Sequence, residues 1–135
     1  MRRFGRFLVP ALFLAALVLI GFGTKLYRGR FETWFHNYAG AMVYEIFWIV
    51  LFGFILPKAR PWRIALAVFV ATCGLEFLQL YRHPVLEAIR SNFFGRALIG
   101  DGFDRRDFVY YVIGSAIGWA VCRATSSWRK AERVN

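Results

Sequence analysis

The chain has 135 residues, of which 59% are hydrophobic and 19% aromatic, and its mean hydropathy is positive. A soluble domain of this length needs one core of alternating or helical stripes, not four separate apolar runs of near-membrane length, so the composition points to an integral membrane protein. The formal net charge is +10, from 18 Lys and Arg against 8 Asp and Glu. These cations are scattered over five segments between and beyond the apolar runs, which fits topology control and contact with anionic headgroups. They form no single patch with stacking aromatics, so nucleic acid is not an expected partner.

Residues 1–6 carry three arginines and precede a first span at about 7–22, with Pro10 read as lying in its first turn. The competing reading of this stretch is a signal peptide ending at Gly21-Phe22-Gly23, with Arg2-Arg3 faintly resembling a twin-arginine signal. A polar link at 25–37 holds Phe31, Trp34 and Phe35, aromatics suited to the headgroup level. Span two, about 38–56, is stopped by Pro57, and the turn Pro57-Lys58-Ala59-Arg60-Pro61 is short enough to make an antiparallel hairpin with span three at about 62–80. Residues 81–106 form the one long connection. Pro84 is placed to begin a short interfacial helix and Gly95 to end it, with Val85, Leu86, Ile89 and Phe93 on one side. Span four, about 107–123, carries Gly114 and Gly118 as a GxxxG packing face and ends where Arg123 can snorkel. The tail is polar and basic, with Trp128 as an interface anchor. The expected fold is therefore an all-α bundle of four transmembrane helices with a structured loop between helices three and four, one membrane domain over residues 1–135. Cys73 and Cys122 lie at unlike depths, so no disulfide is expected, and neither has metal-ligand spacing around it.

Two carboxylates fall inside apolar runs, Glu45 in span two and Glu76 in span three. A charged group near a helix centre costs about 2.5 to 3.5 kcal/mol on insertion scales, so something must offset it. Protonation, or pairing with Arg82, Arg90 or Arg96, would merely lock the bundle; a pocket shared by both carboxylates would be a functional site. Glu76 and Gln79 close span three, while Asp101, Asp104, Asp107, Tyr110 and Tyr111 open span four. Two antiparallel helices bring these groups to one rim, and spacings of three put them on shared faces wherever the backbone is helical.

The order E-x-x-Q at 76–79, an arginine-bearing loop with Arg90, Asp107 opening the last span and Gly114 and Gly118 within it resembles the VanZ-like group of small bacterial membrane proteins. More narrowly, L-E-F-L-Q-L-Y followed by I-R and L-I-G-D-G-F-D-R-R-D-F-V-Y-Y-V-I-G is similar to an uncharacterised family of four-span proteins, over about residues 38–120. That family tends to carry Gly-Asp at the start of span two where this chain has Gly40-Ala41, and Glu45 is the residue that would stand in. The resemblance to VanZ implies a cell-envelope context and glycopeptide tolerance, without an established reaction.

Three function classes stay open. The first is a binding protein, in which Arg82, Arg90 and Arg96 engage the phosphate of an anionic envelope lipid or lipid-linked precursor while Glu45, Glu76, Gln79, Asp101, Asp104, Asp107, Tyr110 and Tyr111 shape the site. The second is an enzyme acting on a phosphate-containing lipid, with Glu76 and Asp107 as general acid and base or as oxygen ligands of a divalent metal. The third is a small structural or accessory subunit. Binding is preferred, because no nucleophile motif, phosphate loop or His-rich metal set occurs; His36 and His83 are single, and no cofactor or resident metal is expected. Membrane lipids are the expected partners, with a homo-oligomer or larger membrane complex compatible with the chain.

Four spans put both termini on one side. That side holds 10 Lys and Arg, and the other holds 8 together with five of the eight acidic residues, which places the termini in the cytoplasm of a plasma-membrane protein. A cysteine placed at Asn92 should then react with an impermeant thiol reagent in intact cells, and one placed at Arg60 should not; the reverse pattern would invert the topology.

Overall fold

A computed structural model describes the backbone of residues 2–100 and 102–134 and the side chains of 7–100 and 102–127. Asp101, and the side chain of Trp128, lie outside the described residues. Among them there is no strand. The helices are α1 (Arg2–Leu26), α2 (Glu32–Ile55), α3 (Pro61–Leu78), α4 (Pro84–Arg90), α5 (Phe93–Ile99) and α6 (Asp107–Val134). Four stretches, Phe7–Leu26, Glu32–Ile55, Pro61–Leu78 and Asp107–Ser127, are 20, 24, 18 and 21 residues long and apolar. About 20 residues cross the ~30 Å hydrocarbon layer, so each is long enough to span it.

The element boundaries differ from the sequence reading in instructive ways. α1 starts at Arg2, so Pro10 sits inside the helix and not in its first turn. α2 starts six residues before Tyr38: its first turn, Glu32–Trp34, passes through a π-helical stretch, Phe35–Ala39, into the regular helix Gly40–Ile55. Stacking of Tyr27 on Phe35 and the Lys25 ammonium donating to the His36 carbonyl (2.6 Å) hold this stretch against the end of α1. α6 continues past Arg123 to Val134. The long connection holds two short helices instead of one, because His83 accepts from the Val85 N–H at the start of α4 and Asn92 from the Gly95 N–H at the start of α5. Gly95 is thus buried within α5 and does not end α4.

α6 packs most extensively against α2 and next against α3, while α1 leans on α2. The apolar core is Leu17, Ile46, Ile49, Val50, Ile64, Ala65, Val68 and Cys122. Gly114 and Gly118 let α6 approach α2. A Cβ at Gly114 would come within 2.9 Å of the Glu45 Cβ and 3.0 Å of the Met42 carbonyl oxygen, and one at Gly118 would meet Ile49 at 3.0 Å. The aromatic turn residues after α1, the loop 79–106 and the start of α6 share one end of the bundle, here called the rim, where the Phe22 ring stacks on Phe93 and the Tyr44 hydroxyl donates to the Leu98 carbonyl. The tight turn between α2 and α3 lies at the opposite end.

The glycine contacts yield a paired test. Gly114→Ala forces α2 and α6 apart and should lower the detergent melting temperature, at an overpacking cost of about 1–3 kcal/mol. Gly74 has open space around a Cβ, so Gly74→Ala should leave the melting temperature unchanged or raise it.

Candidate functional site

α3 delivers Glu76 to the interior of the rim with none of its surface exposed. Three donors converge on it. The Asp104 backbone N–H donates to Oε1 at 2.7 Å; the Tyr111 hydroxyl and the Gln79 amide donate to Oε2 at 3.1 and 3.2 Å. One carboxylate thus joins the end of α3, the loop before α6 and the first turns of α6. No arginine takes part. The desolvation, for which the sequence leaves protonation, an arginine partner or a shared pocket open, is offset by directed hydrogen bonds, each about 1.5–3 kcal/mol when a charged group is involved.

The loop is fixed from both sides of that bond. Asp104 Oδ1 accepts from the Arg106 N–H (2.9 Å) and Oδ2 from the Tyr38 hydroxyl (3.2 Å), and the Arg106 guanidinium donates to the same Tyr38 oxygen at 3.1 Å. Tyr38 is buried and stacks on Tyr110 with centroids 4.6 Å apart, and the Trp34 indole donates to the Tyr110 hydroxyl at 3.0 Å. Gln79 also donates to the Ile99 carbonyl (3.0 Å), anchoring the end of α5. Gly100 follows at φ 80°, a left-handed backbone that favours glycine, and a Cβ there would strike the Gln79 amide.

Arg90 is buried, and its guanidinium is committed within the protein. It donates to the carbonyls of Gly100 (3.2 Å) and Leu78 (3.4 Å) and to Glu87 Oε1 (3.1 Å), tying α4 to both ends of the connection. Arg82 also bonds Glu87, and these hydrogen bonds, Arg82 first, hold the exposed Glu87 carboxyl below its usual range. A depressed carboxyl contributes at neutral pH, and the contribution is lost as pH falls through the lowered value. Arg96 is exposed on α5 and forms no ion pair among the described residues.

Asp107 lies half-buried at the start of α6, and its Oδ1 is buried without a hydrogen-bond partner. Two turns deeper the Ser115 hydroxyl donates to Glu45 Oε1 at 2.7 Å, while Glu45 Oε2 has no partner and the residue is fully buried. The Thr72 hydroxyl, one turn below Glu76, faces Glu45. The polar groups therefore form a ladder descending from the rim: Asp104 and Asp107, then Glu76 with Tyr111, then Glu45 with Ser115 and Thr72. The structure brings Glu76, Gln79, Asp104 and Tyr111 into direct contact. It places Tyr110 among the aromatics, Glu45 lower on the ladder, and Arg90 and Arg96 outside it. Sequence reasoning missed Tyr38, Thr72 and Ser115. The signal was spacing of four: Asp107, Tyr111 and Ser115 share a face of α6, as Thr72 and Glu76 do on α3, whereas the three-residue step from Asp107 to Tyr110 leads away from the carboxylates. Among the described residues, no three His, Cys, Asp or Glu side chains converge as a metal site requires.

A model of the family described as protein of unknown function (DUF2809) matches residues 31–115, well over half of the chain. The chain belongs to that family. The matched DUF2809 stretch runs from the first turn of α2 to Ser115 on α6, so it contains the whole ladder. No curated protein and no solved structure matches the chain.

If Glu76 is the joint of the DUF2809 rim, Glu76→Ala strands three donors and should cost at least about 3 kcal/mol of stability. Glu87→Ala, at an exposed ion pair, should leave detergent melting nearly unchanged; equal melting of the two variants would remove Glu76 from this role.

Proposed function

We propose that the protein binds the headgroup of an anionic envelope lipid or lipid-linked precursor at the rim of the bundle. The observation that carries the reading is Asp107 Oδ1: both oxygens of Glu76 and of Asp104 are satisfied within the protein, and among the described carboxylates of the rim Asp107 leaves a buried acceptor open. An acceptor of that kind suits a hydroxyl or ammonium of a ligand headgroup. The phosphate of the same headgroup would meet Arg96, Arg105 and Arg106, which are exposed in the loop that Glu76 fixes. Arg90 is buried and directs three of its five N–H groups at Gly100, Leu78 and Glu87, so the exposed arginines carry that attraction. With the termini in the cytoplasm, the rim faces outward, where an envelope precursor would be met. The resemblance to VanZ and the associated glycopeptide tolerance agree with such a ligand.

The enzymatic alternative rests on Asp107 and Glu76 acting together on a phosphate-containing lipid, and one substitution separates the two readings. Asp107→Asn keeps the shape and one acceptor but cannot exchange a proton at that atom. In purified protein with a phosphate-bearing lipid, the variant should retain binding with a modest loss, and Arg96→Ala or Arg105→Ala should weaken it in a salt-dependent way. Turnover by the wild type that vanishes in Asp107→Asn while lipid binding survives would replace binding by catalysis.

A further inference from the structure

Away from the rim, α3 and α6 diverge on the outer surface of the bundle and leave a groove of about 370 Å³ lined by Trp62, Ala65, Leu66, Phe69, Val112, Ser115, Ala116 and Trp119. The volume is in the range of ligand pockets. Ser115 is the single non-hydrophobic residue of the lining, and its hydroxyl donates to Glu45. The groove extends about 10 Å along α3 from Trp62 to Phe69 and about 10 Å along α6 from Val112 to Trp119, less than half of the ~30 Å hydrocarbon layer along either helix, and its Trp62 and Trp119 end lies toward the tight turn opposite the rim. Its mouth is marked by two tryptophans, each carrying a guanidinium: Arg63 lies 5.4 Å from the Trp62 ring centroid and Arg123 lies 5.5 Å from that of Trp119. Neither arginine has a carboxylate within reach in sequence, since residues 56–63 and the stretch of α6 from 108 to 123 contain no Asp or Glu. Lys58 and Arg60 add to the positive charge of the same end.

We propose that this groove is a binding site for one anionic phospholipid, an acyl chain lying between Trp62 and Phe69 against Ala65, Ala116 and Val112, and the phosphate seated between Arg63 and Arg123. Charge complementarity selects the occupant. An apolar groove at membrane depth takes a hydrocarbon chain, and two guanidiniums held over aromatic faces at its mouth, neither in an ion pair among the described residues, select a headgroup with net negative charge over a zwitterionic one. The site uses neither Glu76 nor Asp107, and under the cytoplasmic assignment of the termini its charged end belongs to the inner leaflet, where a polybasic surface meets anionic lipid.

The test uses the full chain in detergent, loaded with phosphatidylglycerol or with phosphatidylcholine of the same acyl chains and read by native mass spectrometry. One phosphatidylglycerol should be retained in preference to phosphatidylcholine. Joint substitution Arg63→Gln and Arg123→Gln should cut that preference by about 10- to 30-fold, taking roughly a factor of five per interfacial cation. Ala116→Phe, at an exposed lining position where a larger side chain enters the groove and not the core, should reduce retention of both lipids alike. Equal retention of the two lipids by the wild type would overturn the proposal, as would a preference unaffected by both variants. A second copy of the chain is the competing occupant: a wild-type dimer that Ala116→Phe converts to monomer, with lipid retention unchanged, would assign the groove to it and overturn the lipid site.

Discussion

The hydrogen bond from the Asp104 N–H to Glu76 Oε1 is the constraint on which the rim depends. The loop before α6 has no regular secondary structure to satisfy its backbone, and at the membrane surface an unsatisfied amide that is partly buried is costly. Glu76 supplies the acceptor from the neighbouring helix. In doing so it places Asp104 where Tyr38 and the Arg106 N–H can bond its side chain, and it sets Tyr111 so that α6 enters the bundle with Asp107 and Ser115 on the inner face. Of the two carboxylates that fall inside apolar runs, Glu76 is therefore the more completely compensated in the fold.

Below this joint the bundle is organised by close approach. Gly114 and Gly118 let α6 lie against Glu45 and Ile49 of α2, and that proximity brings the Ser115 hydroxyl onto the Glu45 carboxylate. Polar satisfaction and small-residue packing are thus one design: a larger residue at Gly114 would displace the atoms that Ser115 has to reach. Arg90 does for the outer loop what Glu76 does for the rim, using a cation on carbonyls where Glu76 uses an anion on N–H and O–H groups. Arg90 acts from the middle of the connection and Glu76 from the helix before it, and between them they tie down α4, Gly100 and Asp104.

Much of this was legible in the residues. Four apolar runs, the Pro57 to Pro61 turn and the GxxxG face specify four helices and the tightest contact, because hydropathy and small-residue spacing act on a single helix at a time. The E-x-x-Q pair was also readable, since three residues on one helical turn meet whatever the tertiary context. What the sequence does not carry is which side chains across helices become partners. Glu76 pairs with an amide and a tyrosine instead of an arginine, Arg90 turns inward to carbonyls, and Tyr38 becomes a site residue because a π-helical stretch rotates the start of α2. Each depends on the relative rotation and depth of two helices, which local periodicity leaves free. The position of Asp107 follows the same rule: its entry to α6 was visible, but the burial of its Oδ1 without a partner depends on how the neighbouring helices pack around it.

The most direct measurement of this account is amide hydrogen exchange at Asp104 in the purified full-length protein. If Glu76 is the acceptor that orders the rim, the Asp104 N–H should exchange slowly although it lies in a loop, and Glu76→Ala, which removes the acceptor, should accelerate it while leaving the amides of mid-α2 protected. Exchange at Asp104 as fast as in an unstructured segment of the wild type, or unchanged by Glu76→Ala, would contradict it.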